Sequence, residues 1–457
     1  MDSQDVEMSL PTGELLTADL PAHASRSAEM PMPGGDDQMK LIDVCARSSS
    51  LYELYLQLPK LAHDLENNQV MKQNNFKVTE TVRSLNEMNW AMCELLHSMP
   101  PCVVESIIKG TFAYDDQHQR LRCYKMPTKN GIEIPGIYVV GLSRVGTSGE
   151  FLNINEMKIL IQCLEQYIEG YFAYAKRETL VGTGTELSFE EKRAIRRLKT
   201  IDSYAGGNLT PKPIFIEKPE EVPRIRALIR TFRGMCDSSL DSTGTVRMLQ
   251  SPLYVGCSKN LADRTAIYEK ASLRSLNKPL GLTLCIMRKI NKPLLVHVRN
   301  VIRIWEPTQL SIAEQLVTSL AGSLVYQHGF NATEAGGTGP NTIKSPAGIF
   351  HNAKVVMSDI KQLATNARDS IAEMERRKGF LESLHKIRGS VADIALTTEE
   401  CDRQLRSLPE DFRWNDTLSK MEELVDRLQE DMEEKKKILK FWQLMVEIKK
   451  ITNEILK

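Results

Sequence analysis

Between Met39 and Met99 apolar side chains return at helical spacing: Leu51, Leu54, Leu58 and Leu61, then Val82, Leu85, Met88, Met92, Leu95 and Leu96. Steps of three and four put such residues on one face, so this stretch predicts two or three amphipathic helices, halted at Pro100-Pro101. The rhythm then changes. Residues 136–141 read Gly-Ile-Tyr-Val-Val-Gly, a short apolar run behind Pro135, and predict a strand. Asn153 with Glu156 predicts a capped helix running to about Lys176. Turn-rich residues 182–184, a charged helix opening at Ser188 with Glu191, and Gly206-Gly207 among several prolines read as an insertion over about 150–245. Val222 to Gly234 predicts another amphipathic helix, followed by extended chain from Ser251 to Gly256 and a helix from about Asn260. Leu282 to Met287 and Leu294 to Ile304 are strand candidates. Ser311 to about Tyr326 predicts a helix, with Glu314 three residues after Ser311 as in a capping box.

These elements imply an α+β protein, with a small mixed sheet flanked by helices and interrupted by a helical insertion. The expected organisation is an acidic tail (1–38), a helical region (39–130), the sheet domain (131–332), a Gly/Thr/Pro-rich linker (333–350) and a helical region (351–457). The tail is expected to be disordered, because Met1 to Asp37 carries eight acids against Arg26, several prolines and few large hydrophobes. In the last region Met421, Val425, Leu428 and Met432 step by four, three and four. Ile438, Phe441, Met445, Ile448 and Ile455 resume the seam after a change of phase. That is coiled-coil periodicity, serving an intrachain hairpin, a homodimer or a helical partner.

Composition narrows the class. Apolar residues are 42% and charged residues 26%, enough for buried cores. Lys plus Arg number 59 and Asp plus Glu 59, so a generally basic nucleic-acid coat is excluded while a local patch is not. No apolar run nears the length of about 18 residues that a bilayer helix needs, so no membrane association is expected. Nine cysteines without a CxxC pair, and an N-terminus without a leader pattern, fit a nuclear or cytoplasmic protein that is not secreted.

The local patch lies between Leu253 and Trp305, where ten cations face two anions, Asp263 and Glu269. Phosphate is its natural partner, a solvated face the alternative. Inside it, Asn260 can cap a helix with Asp263 reaching back, and Arg264 and Tyr268, four apart, then share one face. Tyr254 sits on extended chain just before that turn, able to converge on the same spot. Taken singly, Tyr138 and Tyr254 also suit packed strand positions, Arg264 a solvated surface charge and Asn331 a turn.

Gly136-Ile137-Tyr138 and Tyr254-Val255-Gly256, together with the block from Tyr254 to Tyr268, resemble the GIY-YIG endonuclease superfamily. The block is most similar to that of the bacterial excision-repair nuclease. The resemblance runs from about Glu133 to Asn331, with more than a hundred residues between Tyr138 and Tyr254 where the family has a short connection. It implies metal-dependent hydrolysis of DNA phosphodiester bonds. Tyr138 and Tyr254 would position or deprotonate water, Arg264 and Tyr268 hold the scissile phosphate, and Glu314 hold Mg2+ or Mn2+. Gly136, Gly256 and Asn331 would be structural, and Lys259, Lys270 and Arg274 would contact nucleic acid. An ordinary tyrosine pKa is about 10, so a Tyr138 base requires Arg264 or the metal beside its phenolate. The alternative is a catalytically inactive nucleic-acid or protein binding platform joined to a helical oligomerisation region.

Overall fold

A computed structural model describes residues 36–455, except 48–49, 129–131, 181–185, 209–210, 240, 271, 338–342, 344 and 408–413. Most of the acidic tail, the turn at 182–184 and part of the 333–350 segment therefore lie outside the described residues. The tail's expected boundary at residue 38 moves slightly, because helix α1 (Asp36–Arg47) starts there.

The first helical layer continues with α2 (Tyr52–Asn67), α3 (Gln69–Gln73), α4 (Thr79–Glu87), α5 (Trp90–Ser98), α6 (Pro101–Lys109) and α7 (Phe112–Gln117). The expected two or three helices are divided further because Asn68 and Asn89 each cap a new helix by accepting backbone N–H groups. Met88 between them takes a left-handed conformation. Pro101 closes α5 and opens α6, its missing N–H being harmless in a first turn. Leu54, Leu58, Leu85, Leu95 and Ile107 form the buried seam of this layer.

Three strands make an antiparallel sheet: β1 (Gly136–Arg144), β2 (Tyr254–Ser258) and β3 (Leu294–Arg303), in the order β2-β1-β3. The fold class is α+β. Central β1 is buried on both faces, which is why it reads as an unbroken apolar run. Its register sets Tyr138 opposite Gly256 and Val140 opposite Tyr254. The long detour between β1 and β2 is helical: α8 (Ile154–Leu180), α9 (Phe189–Ser203) and α10 (Val222–Gly234). Both expected capping boxes form, Asn153 with Glu156 and Ser188 with Glu191. Tyr167 ties the insertion together, donating to Asp202 at 2.7 Å and accepting from the Phe215 N–H at 3.1 Å.

After β2 come the short helix α11 (Leu261–Thr265), a 3-10 turn (Ala266–Glu269), α12 (Lys278–Lys289) and, beyond β3, α13 (Gln309–Leu320). The strand expected at 282–287 is instead part of α12. Asn277 caps that helix, and Leu282, Leu284, Cys285, Ile286 and Met287 are all buried. A helix apolar on every side carries the same continuous signal as a buried strand. Helix α13 also departs from expectation, starting two residues before Ser311 and stopping at Leu320. Gln309 accepts from the Trp305 and Glu306 N–H groups, and the expected box between Ser311 and Glu314 does not form.

The remaining helices are α14 (Pro346–Lys354), α15 (Gln362–Arg406) and α16 (Trp414–Ile455). The first compact unit ends at Arg376, not at a 333–350 linker. Asn352 shows why: wholly buried, it donates to the Pro135 and Ile304 carbonyls at 2.8 and 2.7 Å. Asn366 does the same for the carbonyls of His97 and Met99. The second unit, Arg377–Lys457, has exposed apolar side chains throughout its described part, among them Phe380, Ile387, Ile394, Val425 and Met432. The side chains of Phe441, Met445, Ile448 and Ile455 lie outside the described residues. Among the described residues no helix is long and apolar enough to cross a membrane.

Candidate active site

Strand pairing brings the two tyrosine motifs together across the insertion. The Tyr138 ring lies over Gly256, where a Cβ would collide with the phenolic oxygen. Gly136 is also obligatory, since a Cβ there would stand 2.5 Å from the Ile302 carbonyl and 2.7 Å from Leu261. Tyr254 and Tyr268 flank Tyr138, their ring centroids 6.2 and 5.9 Å away.

Asn260 starts α11 and also donates to Asp263 at 2.7 Å, as its spacing suggested. The helix carries Arg264 back over the sheet, where Nε donates to Tyr138 Oη at 3.0 Å. Tyr268 Oη lies 3.5 Å from the same oxygen. Tyr138 is wholly buried, whereas Arg264 and Tyr268 are half-buried. A guanidinium at this distance is the partner a phenolate would need. Although burial opposes its charge, the surrounding Tyr138, Tyr254 and Tyr268 oxygens raise the Arg264 pKa further, so it stays cationic. Burial, reinforced by Tyr138, pushes the Tyr254 phenol far above its ordinary value. Burial with Tyr138 and Tyr254 does the same to Tyr268. Raised in this way, both phenols stay neutral near pH 7.

Glu314 projects from α13 and is half-buried. Its Oε2 accepts the Cys257 thiol at 3.1 Å and the Gly336 N–H at 2.8 Å. Burial raises its pKa, and charge couples it to Arg264 and Tyr254. Among the described residues no cluster of three His, Cys, Asp or Glu side chains gathers. One carboxylate beside phenols fits a hard ion that keeps most of its water, such as Mg2+ or Mn2+. Asn331, almost buried, grips both backbone groups of Val255, accepting at 2.9 Å and donating at 2.7 Å. That fixes β2 against the chain beyond α13.

Part of the basic patch is paired with acids from outside the interval in which its charges were counted. Lys278 pairs with Glu217 and Glu221, Lys292 with Glu156, and Arg299 with Asp116. Arg303 is buried, donating to the Lys125 carbonyl. Arg274 donates to the Asn208 carbonyl. Lys259 stands 4.0 Å from Glu133, and Lys270 is exposed.

Beside Tyr268 opens a cleft of about 690 Å³, walled by Ala262, Thr265, Met126, Val296 and Val298. Near it Ser143 Oγ lies 2.8 Å from His297 Nε2, and His297 Nδ1 lies 2.9 Å from Asp116 Oδ2. The sequence of atoms is that of a hydrolase triad. Ser143 is only 1% exposed and does not line the cleft, so no substrate reaches its oxygen and the network ties α7 to the sheet.

The contacts of Cys257 and Gly336 with Glu314 were not foreseen from sequence. Cys257 merely follows the Tyr-Val-Gly motif, and Gly336 lies in a glycine run that reads as linker. No family model matches the chain, and neither a curated protein nor a solved structure is significantly similar to it.

Proposed function

We propose that the chain is a GIY-YIG-type, metal-dependent endonuclease acting on DNA in the nucleus or cytoplasm. The observation that carries this reading is the 3.0 Å bond from Arg264 to Tyr138, made across a 126-residue separation and enclosed by Tyr254 and Tyr268. Half-buried Arg264 offers its remaining N–H groups to the charge that grows on a phosphodiester's non-bridging oxygens. Tyr268 adds a neutral donor beside it. Tyr254 orients the attacking water, and Glu314 holds the cation. That cation, when bound, supplies an acidified water and neutralises the leaving oxygen. Buried Tyr138 holds Arg264 in place and does not itself meet substrate.

The test is nicking of supercoiled plasmid with Mg2+ or Mn2+. Arg264→Ala and Glu314→Ala each lower the rate by roughly 10²-fold or more while the protein remains folded. Cleavage unchanged by both substitutions removes this mechanism. A second reading is an inactive nucleic-acid or protein binding platform. Salt-sensitive DNA binding without cleavage would select it.

A further inference from the structure

The turn beyond α13 folds back over the first half of that helix. The Gly336 carbonyl accepts from Ser311 Oγ at 2.8 Å, while its N–H donates to Glu314 Oε2 at 2.8 Å. Its φ is +89°, and a Cβ would stand 2.5 Å from Gln315 Nε2 and 2.6 Å from Ser311 Oγ, so the turn requires glycine. Two residues earlier, Glu334 anchors the turn to the first layer by accepting the Thr81 N–H at 3.0 Å. From the sheet, the Cys257 thiol reaches the same Oε2. One carboxylate oxygen is therefore clamped between a strand and a turn.

We infer that Cys257 and Gly336 are positioning residues for Glu314, fixing the orientation in which its carboxylate meets a divalent cation and so setting cation affinity. This rests on the reading of Glu314 as the metal-holding group. A carboxylate free of fixed donors samples several rotamers, and each cation bound must first select one. Two donors on Oε2 make that selection in advance. Cys257 is thus more than filler in β2, and the glycine run that follows Ala335 is part of the site.

The experiment is titration of the full-length protein with Mn2+, followed by calorimetry and by the Mn2+ dependence of plasmid nicking. Wild type binds the ion, and Glu314→Gln does not. Cys257→Val and Ser311→Ala weaken binding by about 10- to 100-fold. In nicking, Cys257→Val shifts the half-maximal Mn2+ concentration while leaving the rate at saturating Mn2+ nearly intact. Cys257→Ser, which restores a donor, stays close to wild type. Gly336→Ala weakens binding too, and Ser311→Ala tests the same turn without straining its backbone. Wild-type affinity in both Cys257→Val and Ser311→Ala overturns the positioning role. Mn2+ binding that is absent from wild type, or that survives Glu314→Gln, instead overturns the metal reading beneath it, a pattern distinct from the first.

Discussion

The Tyr138 ring has room only because position 256 lacks a side chain. Gly256→Ala must move the ring or part β1 from β2, and overpacking of this kind costs about 1–3 kcal/mol. Denaturant unfolding of the two proteins measures it, and equal midpoints would mean that the ring does not lie there. The substitution also withdraws the phenol from Arg264, so it should impair nicking beyond its effect on stability. Residues at this scale were unevenly legible. Arg264 could be placed from spacing, because Asn260 starts the short helix that carries it, whereas Tyr254 lies on β2 and Tyr268 in the 3-10 turn beyond that helix. Cys257 could not, since its importance comes from a carboxylate 57 positions away. Nor was the bond from Arg274 to the Asn208 carbonyl legible, because its partner lies 66 positions earlier.

Among the elements, the start of α8 carries the most concentrated charge. Glu156, 3% exposed, closes the capping box and meets Arg247 through both oxygens at 2.6 and 3.1 Å, with Lys292 at 2.9 Å. Burial opposes the charge, but Arg247 and Lys292 together hold the carboxyl down to about 2. A pKa depressed below the unfolded value stabilises the fold above about pH 4.5, and the contribution drains away as pH falls toward 2. At neutral pH it is on the order of 3 kcal/mol. Glu156→Gln should therefore destabilise the protein markedly at pH 7 and progressively less as pH drops below about 4. Unfolding curves at several pH values check this, and a difference independent of pH would contradict it. Element boundaries show where pattern reading ends. The caps at Asn153 and Ser188 were legible because each is settled within four residues. Helix α12 was not, because burial on all sides erases the period that distinguishes helix from strand. The start of α13 was misplaced because the helix begins two residues before Ser311 with no side-chain cap, leaving Ser311 and Glu314 to meet Gly336.

For the molecule as a whole, several charges that cluster along the chain are paired with acids from distant segments. Glu156, Glu217, Glu221 and Asp116 all come from elements outside the counted interval, so the patch could be judged only once the fold was known. In the second compact unit, Phe380, Leu384, Ile387, Val391 and Ile394 are exposed at steps of four and three, as are Met421, Val425, Leu428 and Met432. Such seams suit an intrachain hairpin, a helical partner or a homodimer, and sedimentation separates the last from the others. A homodimer predicts that the full-length protein sediments as a dimer at micromolar concentration and that Val425→Asp with Leu428→Asp shifts it to monomer. A wild-type monomer at high concentration would rule the dimer out.

The order in which the strands emerge has a consequence during synthesis. Strand β1 is apolar on both faces, yet its neighbours begin 118 and 158 residues later in the chain. At 5–20 residues per second, a ribosome takes roughly 6–24 seconds to reach β2 after starting β1. Throughout that interval the nascent polypeptide carries an apolar nine-residue segment whose strand partners have not yet been made. Cells making this protein should thus depend on a holdase acting on the growing chain, and slowed translation near codons 145–253 should lengthen the period of risk.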